Sequence, residues 1–129
     1  MALCLICLAA CGHQETDEEI GERIAGKYYV YENESFGGNG DQFVIFIKSD
    51  GTYSYNESVL SSYIGSGSWT VENGILILTE DEDLGREPGF ANYFNAEGND
   101  LVFLAAKSSN FLYIDVADGD RFLETLSLP

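Results

Sequence analysis

The chain reads as an all-β protein: an antiparallel, up-and-down barrel of about eight strands, preceded by one short N-terminal helix. Three observations carry that reading. The apolar runs are short, rich in β-branched and aromatic residues, and separated by Gly, Asn and Asp. The pairs Asp50-Gly51, Asn73-Gly74 and Asp118-Gly119 are of the kind that suits primed two-residue hairpin turns. No long helical pattern separates the runs, so neighbouring strands pair antiparallel. A sheet of this many strands tends to curl and close on itself, which removes its unpaired edges.

Taken in order, the first element is the helix. Thr16-Asp17-Glu18-Glu19 fits a capping box, and its acids sit where the helix dipole favours negative charge. Glu19 and Arg23 have the spacing of an ion pair, Ile20 and Ile24 share a face, and Gly26 can end the helix. The two isoleucines are expected to cover the end of the core that follows. Nine strands are then predicted: Lys27–Glu32, Gln42–Lys48, Thr52–Asn56, Gly67–Glu72, Ile75–Glu80, Phe90–Asn95, Leu101–Ala105, Phe111–Val116 and Arg121–Leu126. The clearest unit is the hairpin from Gly67 to Leu78, turning at Asn73-Gly74.

Alternation along the strands separates two types. Thr52-Tyr53-Ser54-Tyr55 and Ser68-Trp69-Thr70-Val71 each present one wet face. Phe43–Ile47, Ile75–Leu78, Leu101–Leu104 and Phe111–Ile114 are apolar on both faces and call for cover on two sides. That cover comes from the chain itself or from a partner protein docked on an apolar patch. Two stretches interrupt the strands: a glycine-rich loop at Glu34–Asp41 and an acidic loop at Glu80–Gly89. The Asn-Glu-Ser repeats at Asn33 and Asn56 match a glycosylation acceptor and read as chance.

Upstream of the helix, an unbroken apolar run from Ala2 ends in Leu8-Ala9-Ala10-Cys11, and an acidic polar segment follows at once. A run this short ending in small residues is the body and cleavage zone of a secretory signal. It falls short of the roughly 20 apolar residues that span a bilayer. No basic residue precedes it, which reads as a start assigned too late or a truncated chain. Leu8-Ala9-Ala10-Cys11 resembles the lipobox of bacterial lipoproteins. That resemblance implies cleavage before Cys11, diacylglyceryl attachment to its sulfur, and a mature chain beginning there. The expected organisation is a signal peptide over 1–10, a lipidated tether over 11–15 and a β-barrel domain over 16–129.

The barrel portion resembles small lipocalin-like domains. The matching residues are Gly26-Lys27-Tyr28-Tyr29 at the first strand, with Tyr28 where that fold often carries tryptophan, then Asp50-Gly51-Thr52 and Gly67-Ser68-Trp69. The resemblance runs from about Gly26 to the C-terminus and implies a fold suited to binding.

Composition narrows the function. With 6 basic against 22 acidic residues the net charge is −16, which argues against nucleic acid, whose phosphates need a basic face. It argues equally against electrostatic adhesion to an anionic membrane, so attachment falls to lipid. Cys4, Cys7 and Cys11 are the three cysteines; the first two lie in the predicted signal and the third carries the lipid, so neither a disulfide nor a metal site follows from Cys4-x-x-Cys7 and His13. His13 is the sole histidine and sits two residues from Cys11, so it has no serine to activate within the folded domain.

Asp81, Glu82 and Asp83, and Asp115, Asp118 and Asp120, offer oxygen ligands without the spaced acidic loop that wraps calcium. No catalytic residue, metal or cofactor is therefore expected. Tyr28, Tyr29, Tyr31, Tyr53, Tyr55, Tyr63, Tyr93, Tyr113 and Trp69 fill a core or line a ligand cavity, with the core favoured.

The expected function is that of a non-enzymatic binding module, lipid-anchored to the cell membrane on its extracytoplasmic face, for a small apolar ligand or a protein partner. The doubly apolar strands favour the protein. The alternative is an envelope hydrolase acting on glycans, which requires two carboxylates about 5–9.5 Å apart across a cleft, one of them in an apolar setting.

Overall fold

The computed structural model describes residues 15–32, 43–57, 64–81, 90–111 and 114–125. The strands are β1 (Lys27–Tyr31), β2 (Val44–Ile47), β3 (Thr52–Asn56), β4 (Gly65–Glu72), β5 (Ile75–Glu80), β6 (Ala91–Glu97), β7 (Asp100–Phe103) and β8 (Arg121–Thr125). Each pairs antiparallel with the next, and β8 returns to β1, closing the barrel. The predicted class and up-and-down order are what the chain adopts. One short helix, α1 (Asp17–Ile24), precedes the strands.

Predicted boundaries hold within a few residues, with one exception. Phe111 and Ile114–Val116 form no strand, and Leu112 and Tyr113 lie outside the described residues. The physical reason is pairing: β7 bonds β8 and β8 bonds β1, so the closed ladder leaves no partner for a ninth strand. Asp118-Gly119 likewise joins no hairpin. Gly119 has a φ of 85° and donates its N–H to the Phe103 carbonyl, turning the chain into β8. A hairpin turn does occur at Gly98-Asn99, between β6 and β7.

Asn73-Gly74 behaves as predicted. Both residues have positive φ, 53° and 82°, the geometry of a type I′ turn. At Asp50-Gly51 the Asp50 carboxylate accepts from the Thr52 backbone N–H (3.0 Å) and hydroxyl (2.6 Å). Those two bonds favour its charged form and hold its pKa below the usual carboxylate value.

Alternate side chains point inward. The interior holds Tyr29, Tyr31, Phe43, Ile45, Ile47, Tyr53, Tyr55, Leu76, Leu78, Phe94, Leu101, Phe103 and Phe122, all buried. Each such side chain contributes about 1.5–3 kcal/mol through apolar area removed from water.

Helix α1 seals one end. Its capping box is complete, with Glu19 N–H donating to Thr16 Oγ1 (3.2 Å) and Thr16 N–H to Glu19 Oε1 (3.0 Å). Since Glu19 turns back to the cap, the predicted pairing of Arg23 with it gives way to another: Arg23 forks onto Glu15, both contacts at 2.8 Å. The helix buries Ile20 and Ile24 in the core and lays Gly21 against the Trp69 ring. Asp17 reaches the β4–β5 turn, accepting from the N–H of Asn73 (2.9 Å) and Gly74 (2.8 Å). Arg23 also donates to the Gly98 carbonyl of the β6–β7 turn. Acid and base from one helix thus grip two hairpin turns.

Beneath the helix, Tyr29 donates its hydroxyl to the Ile24 carbonyl (3.4 Å). Burial pushes its pKa far above the ordinary phenol value of 10.0, and the nearby Glu124 adds to the shift. The folded state therefore holds the phenol proton more tightly than the unfolded one. The stability this confers is whole below the ordinary phenol pKa and is lost as pH rises through the folded one. In alkaline denaturation, wild type should lose stability above pH 10.0 more steeply than Tyr29→Phe, measured by urea midpoints across the range. Equal slopes would contradict the assignment.

Candidate functional site

The barrel has two unlike ends. The turns β2–β3, β4–β5 and β6–β7 lie at the helix-sealed end, and the longer connections β1–β2, β3–β4, β5–β6 and β7–β8 lie at the other, here called the mouth. Most of those longer connections fall outside the described residues, including the glycine-rich loop and most of the acidic loop.

Aromatic rings fill the barrel up to its mouth. Phe111, from the β7–β8 connection, drops in edge-on to Phe43 (4.8 Å between centroids) and Tyr55 (5.4 Å). Phe43 in turn meets Phe122 at 5.0 Å, and Phe122 meets Tyr31 at 5.1 Å. These are contact separations for aromatic pairs, so no ligand-sized space lies between these rings. Phe111 was predicted as a strand residue; its work is to plug.

Two acids lie buried near the mouth ends of β3 and β5. Glu57 is 1% exposed and accepts the Ile114 N–H at 2.9 Å, which anchors the chain just beyond the plug. Glu80 is 6% exposed and accepts the Tyr55 hydroxyl at 3.0 Å. Tyr55 reaches it by lying flat across β4, where Gly65 offers no side chain: a Cβ there would fall inside the Tyr55 ring. Gly67, opposite Glu80, is equally constrained, because a Cβ would collide with the Thr79 carbonyl on β5.

Asn92 is fully buried nearby and donates to the Ser109 carbonyl at 2.8 Å. Glu57 and Glu80 are the acids that answer to the two-carboxylate expectation. Both are already engaged by hydrogen bonds of the fold, near the mouth ends of β3 and β5. Sequence reasoning missed them, although parity marks them: Glu57 continues the inward series Tyr53, Tyr55, and Glu80 continues Leu76, Leu78.

A groove of about 250 Å³ lies outside the plug, lined by Phe103, Asn110, Phe111, Ile114, Asp115 and Val116. Of the six acids considered as calcium ligands, Asp118 and Asp120 serve the adjoining turn, and Glu82 and Asp83 lie outside the described residues. Asp118 accepts from the Ala105 N–H (2.9 Å), and Asp120 accepts from the Tyr31 hydroxyl (2.5 Å) and the Ala117 N–H (2.9 Å). Among the described residues, no three His, Cys, Asp or Glu side chains converge as a metal site would require.

The tyrosines divide. Tyr29, Tyr31, Tyr53 and Tyr55 belong to the core, Tyr28 and Tyr93 are half-buried, and Trp69 donates its indole N–H to the Lys48 carbonyl at 2.9 Å. Tyr63 and Tyr113 lie outside the described residues, as does Cys11.

An apolar strip runs over the outer face of β8, β1 and β2, and of the runs predicted apolar on both faces only Phe43–Ile47 contributes to it. Register sets Leu123 of β8 opposite Val30 of β1, and Val30 opposite Val44 of β2, three aliphatic residues side by side on the outside. One row toward the sealed end, Tyr28 stacks on Phe46 with centroids 4.3 Å apart, and Lys48 sits 6.0 Å over the Phe46 ring. All five apolar residues are half-buried. At the start of β8, Arg121 pairs with Asp100 of β7 and Glu97 of β6, each at 3.3 Å. The arrangement is an apolar strip with a charged rim.

Replacing Gly65 by Ala should force Tyr55 off Glu80 and cost about 1–3 kcal/mol, read from urea denaturation, because overpacking and a broken buried hydrogen bond act together. Tyr55→Phe, which removes the hydrogen bond alone, should lose less. If Gly65→Ala is as stable as wild type, this account of the mouth is wrong.

No family model, no curated protein and no solved structure matches this chain.

Proposed function

We propose that this chain is an extracytoplasmic lipoprotein, held to the cell membrane by lipid on Cys11, whose barrel is a non-catalytic module for binding a protein partner. The observation that supports binding on the outside is the filled interior: rings in mutual contact occupy the space that a buried small ligand would need. The strip of Leu123, Val30, Val44, Tyr28 and Phe46 supplies the apolar contact area, and the rim of Arg121, Asp100 and Glu97 supplies polar specificity.

Anchoring rests on Leu8-Ala9-Ala10-Cys11. Two or more acyl chains, at about 0.8 kcal/mol per buried methylene, give stable attachment where one gives only marginal binding. Lipid is the anchor this reading needs, since no described helix is long and apolar enough to cross a membrane. Among the described residues, the buried acids open to glycan hydrolysis are Glu57 and Glu80, and one oxygen of each already accepts a hydrogen bond, from Ile114 and Tyr55 respectively. Binding asks nothing more of them.

Labelled palmitate fed to producing cells should appear on the wild-type chain and be absent from Cys11→Ser. In the same cells, a photo-crosslinker at Val44 should give a discrete adduct, weakened at least about tenfold by Val30→Glu with Leu123→Glu at unchanged melting temperature. Lack of lipid incorporation defeats the anchor; an adduct indifferent to the double substitution defeats the binding face.

A further inference from the structure

We infer that the helix-sealed end of the barrel is the end that faces the bilayer, and that the mouth points away from it. The inference rests on the lipidation of Cys11 proposed above and adds to it an orientation.

From Cys11 to the helix N-cap at Thr16 the chain takes five residue steps, about 18 Å at full extension. Thr16 does not move independently of the barrel. Its side chain caps α1, Asp17 bonds both amides of the β4–β5 turn, and Arg23 joins Glu15 to the Gly98 carbonyl of the β6–β7 turn. The point at which a lipidated segment leaves the folded body is therefore fixed at the sealed end. The mouth lies a strand length further along, roughly 15–20 Å at the rise of an extended chain.

Charge sets which way the body swings about that point. Helix α1 turns Ile20 and Ile24 into the core and leaves Glu18 and Glu22 exposed on its outer side. Asp17, Glu72 and Glu97 are exposed at the same end, and the chain as a whole carries −16. A basic side chain close to an anionic leaflet gains about 1 kcal/mol, and an acidic one loses a comparable amount, within a Debye length of about 8 Å. A body of this charge tied at one end lowers its energy by holding its remainder away from the surface. The tether brings in the sealed end, repulsion keeps it from adhering, and the mouth is carried outward. The strip on β8, β1 and β2 then stands clear of the lipid.

The test uses lipidated protein purified from the membranes of producing cells and reconstituted in vesicles of anionic phospholipid carrying a headgroup quencher. Single cysteines are introduced for a fluorophore as Asn99→Cys at the sealed end, Ser54→Cys on the outer sheet face and Asn110→Cys at the mouth. With the signal removed and Cys11 acylated, each engineered thiol is the sole free one.

Quenching should be several-fold stronger at position 99 than at 110, with 54 between them. Strongest quenching at 110 overturns the orientation, and strongest quenching at 54 overturns it in favour of a barrel lying on its sheet face. The mass of the N-terminal peptide is read on the same samples: an unlipidated Cys11 overturns the anchor and the orientation together, whereas lipid present with the wrong quenching order overturns the orientation alone.

Discussion

Closure is the constraint on which the rest of this structure depends. Eight strands returning on themselves enclose a space that side chains must fill, because an empty apolar interior forfeits both hydrophobic and dispersion energy. Here the filling is aromatic, and large rings impose conditions on their surroundings. Tyr55 can lie across β4 only because Gly65 leaves its path clear. Its hydroxyl then needs a partner in a dry environment, and Glu80 provides one. β4 opens with glycines at 65 and 67, two residues earlier than the predicted strand, because the Tyr55 ring and the Thr79 carbonyl need the room.

A full barrel must also be closed at its ends, and the two closures differ in kind. At the sealed end an eight-residue helix does the work, and its polar groups do more than cap themselves. Asp17 and Arg23 each reach a hairpin turn, so the charges favoured by the helix dipole double as struts to the sheet. At the mouth, among the described residues, the Phe111 ring packs onto Phe43 and Tyr55 from the β7–β8 connection, and Glu57 holds that connection at Ile114. A buried side-chain oxygen accepting a backbone N–H satisfies both groups away from water, which lets the connection hold its position outside the barrel ladder.

The sequence made much of this legible, and where it failed the reasons are physical. Asn73-Gly74 announced its turn because left-handed backbone at both positions demands those residue types. The capping box at Thr16 was equally local and equally readable. Phe111–Val116 has the composition of a strand, but composition reports only what a residue tolerates. Pairing depends on whether a neighbour is left over, and that is settled by β7, β8 and β1 together. The turn at Gly98-Asn99 escaped notice because Gly precedes Asn there, the reverse of the usual hairpin pair. Glu57 and Glu80 looked like members of an acidic surface. Their inward parity is legible in the strand alternation, but a charged side chain is buried only where a partner is supplied, and Ile114 and Tyr55 come from elsewhere in the chain.

The acidic composition acquires a different meaning once the two buried carboxylates are set aside. Glu57 and Glu80 are bound into the fold, while the exposed acids are distributed over the helix and the turns of the sealed end as well as elsewhere. Such a surface resists adhesion to anionic lipid and to other copies of itself. The outer strip on β8, β1 and β2 differs, with aliphatic and aromatic residues in register across three strands. An apolar strip on an otherwise repulsive body favours a partner that offers matching apolar area, because the charge around it penalises loose, unmatched contacts. The same exposed acids that would repel an anionic surface thereby also set the terms on which anything else can bind the barrel.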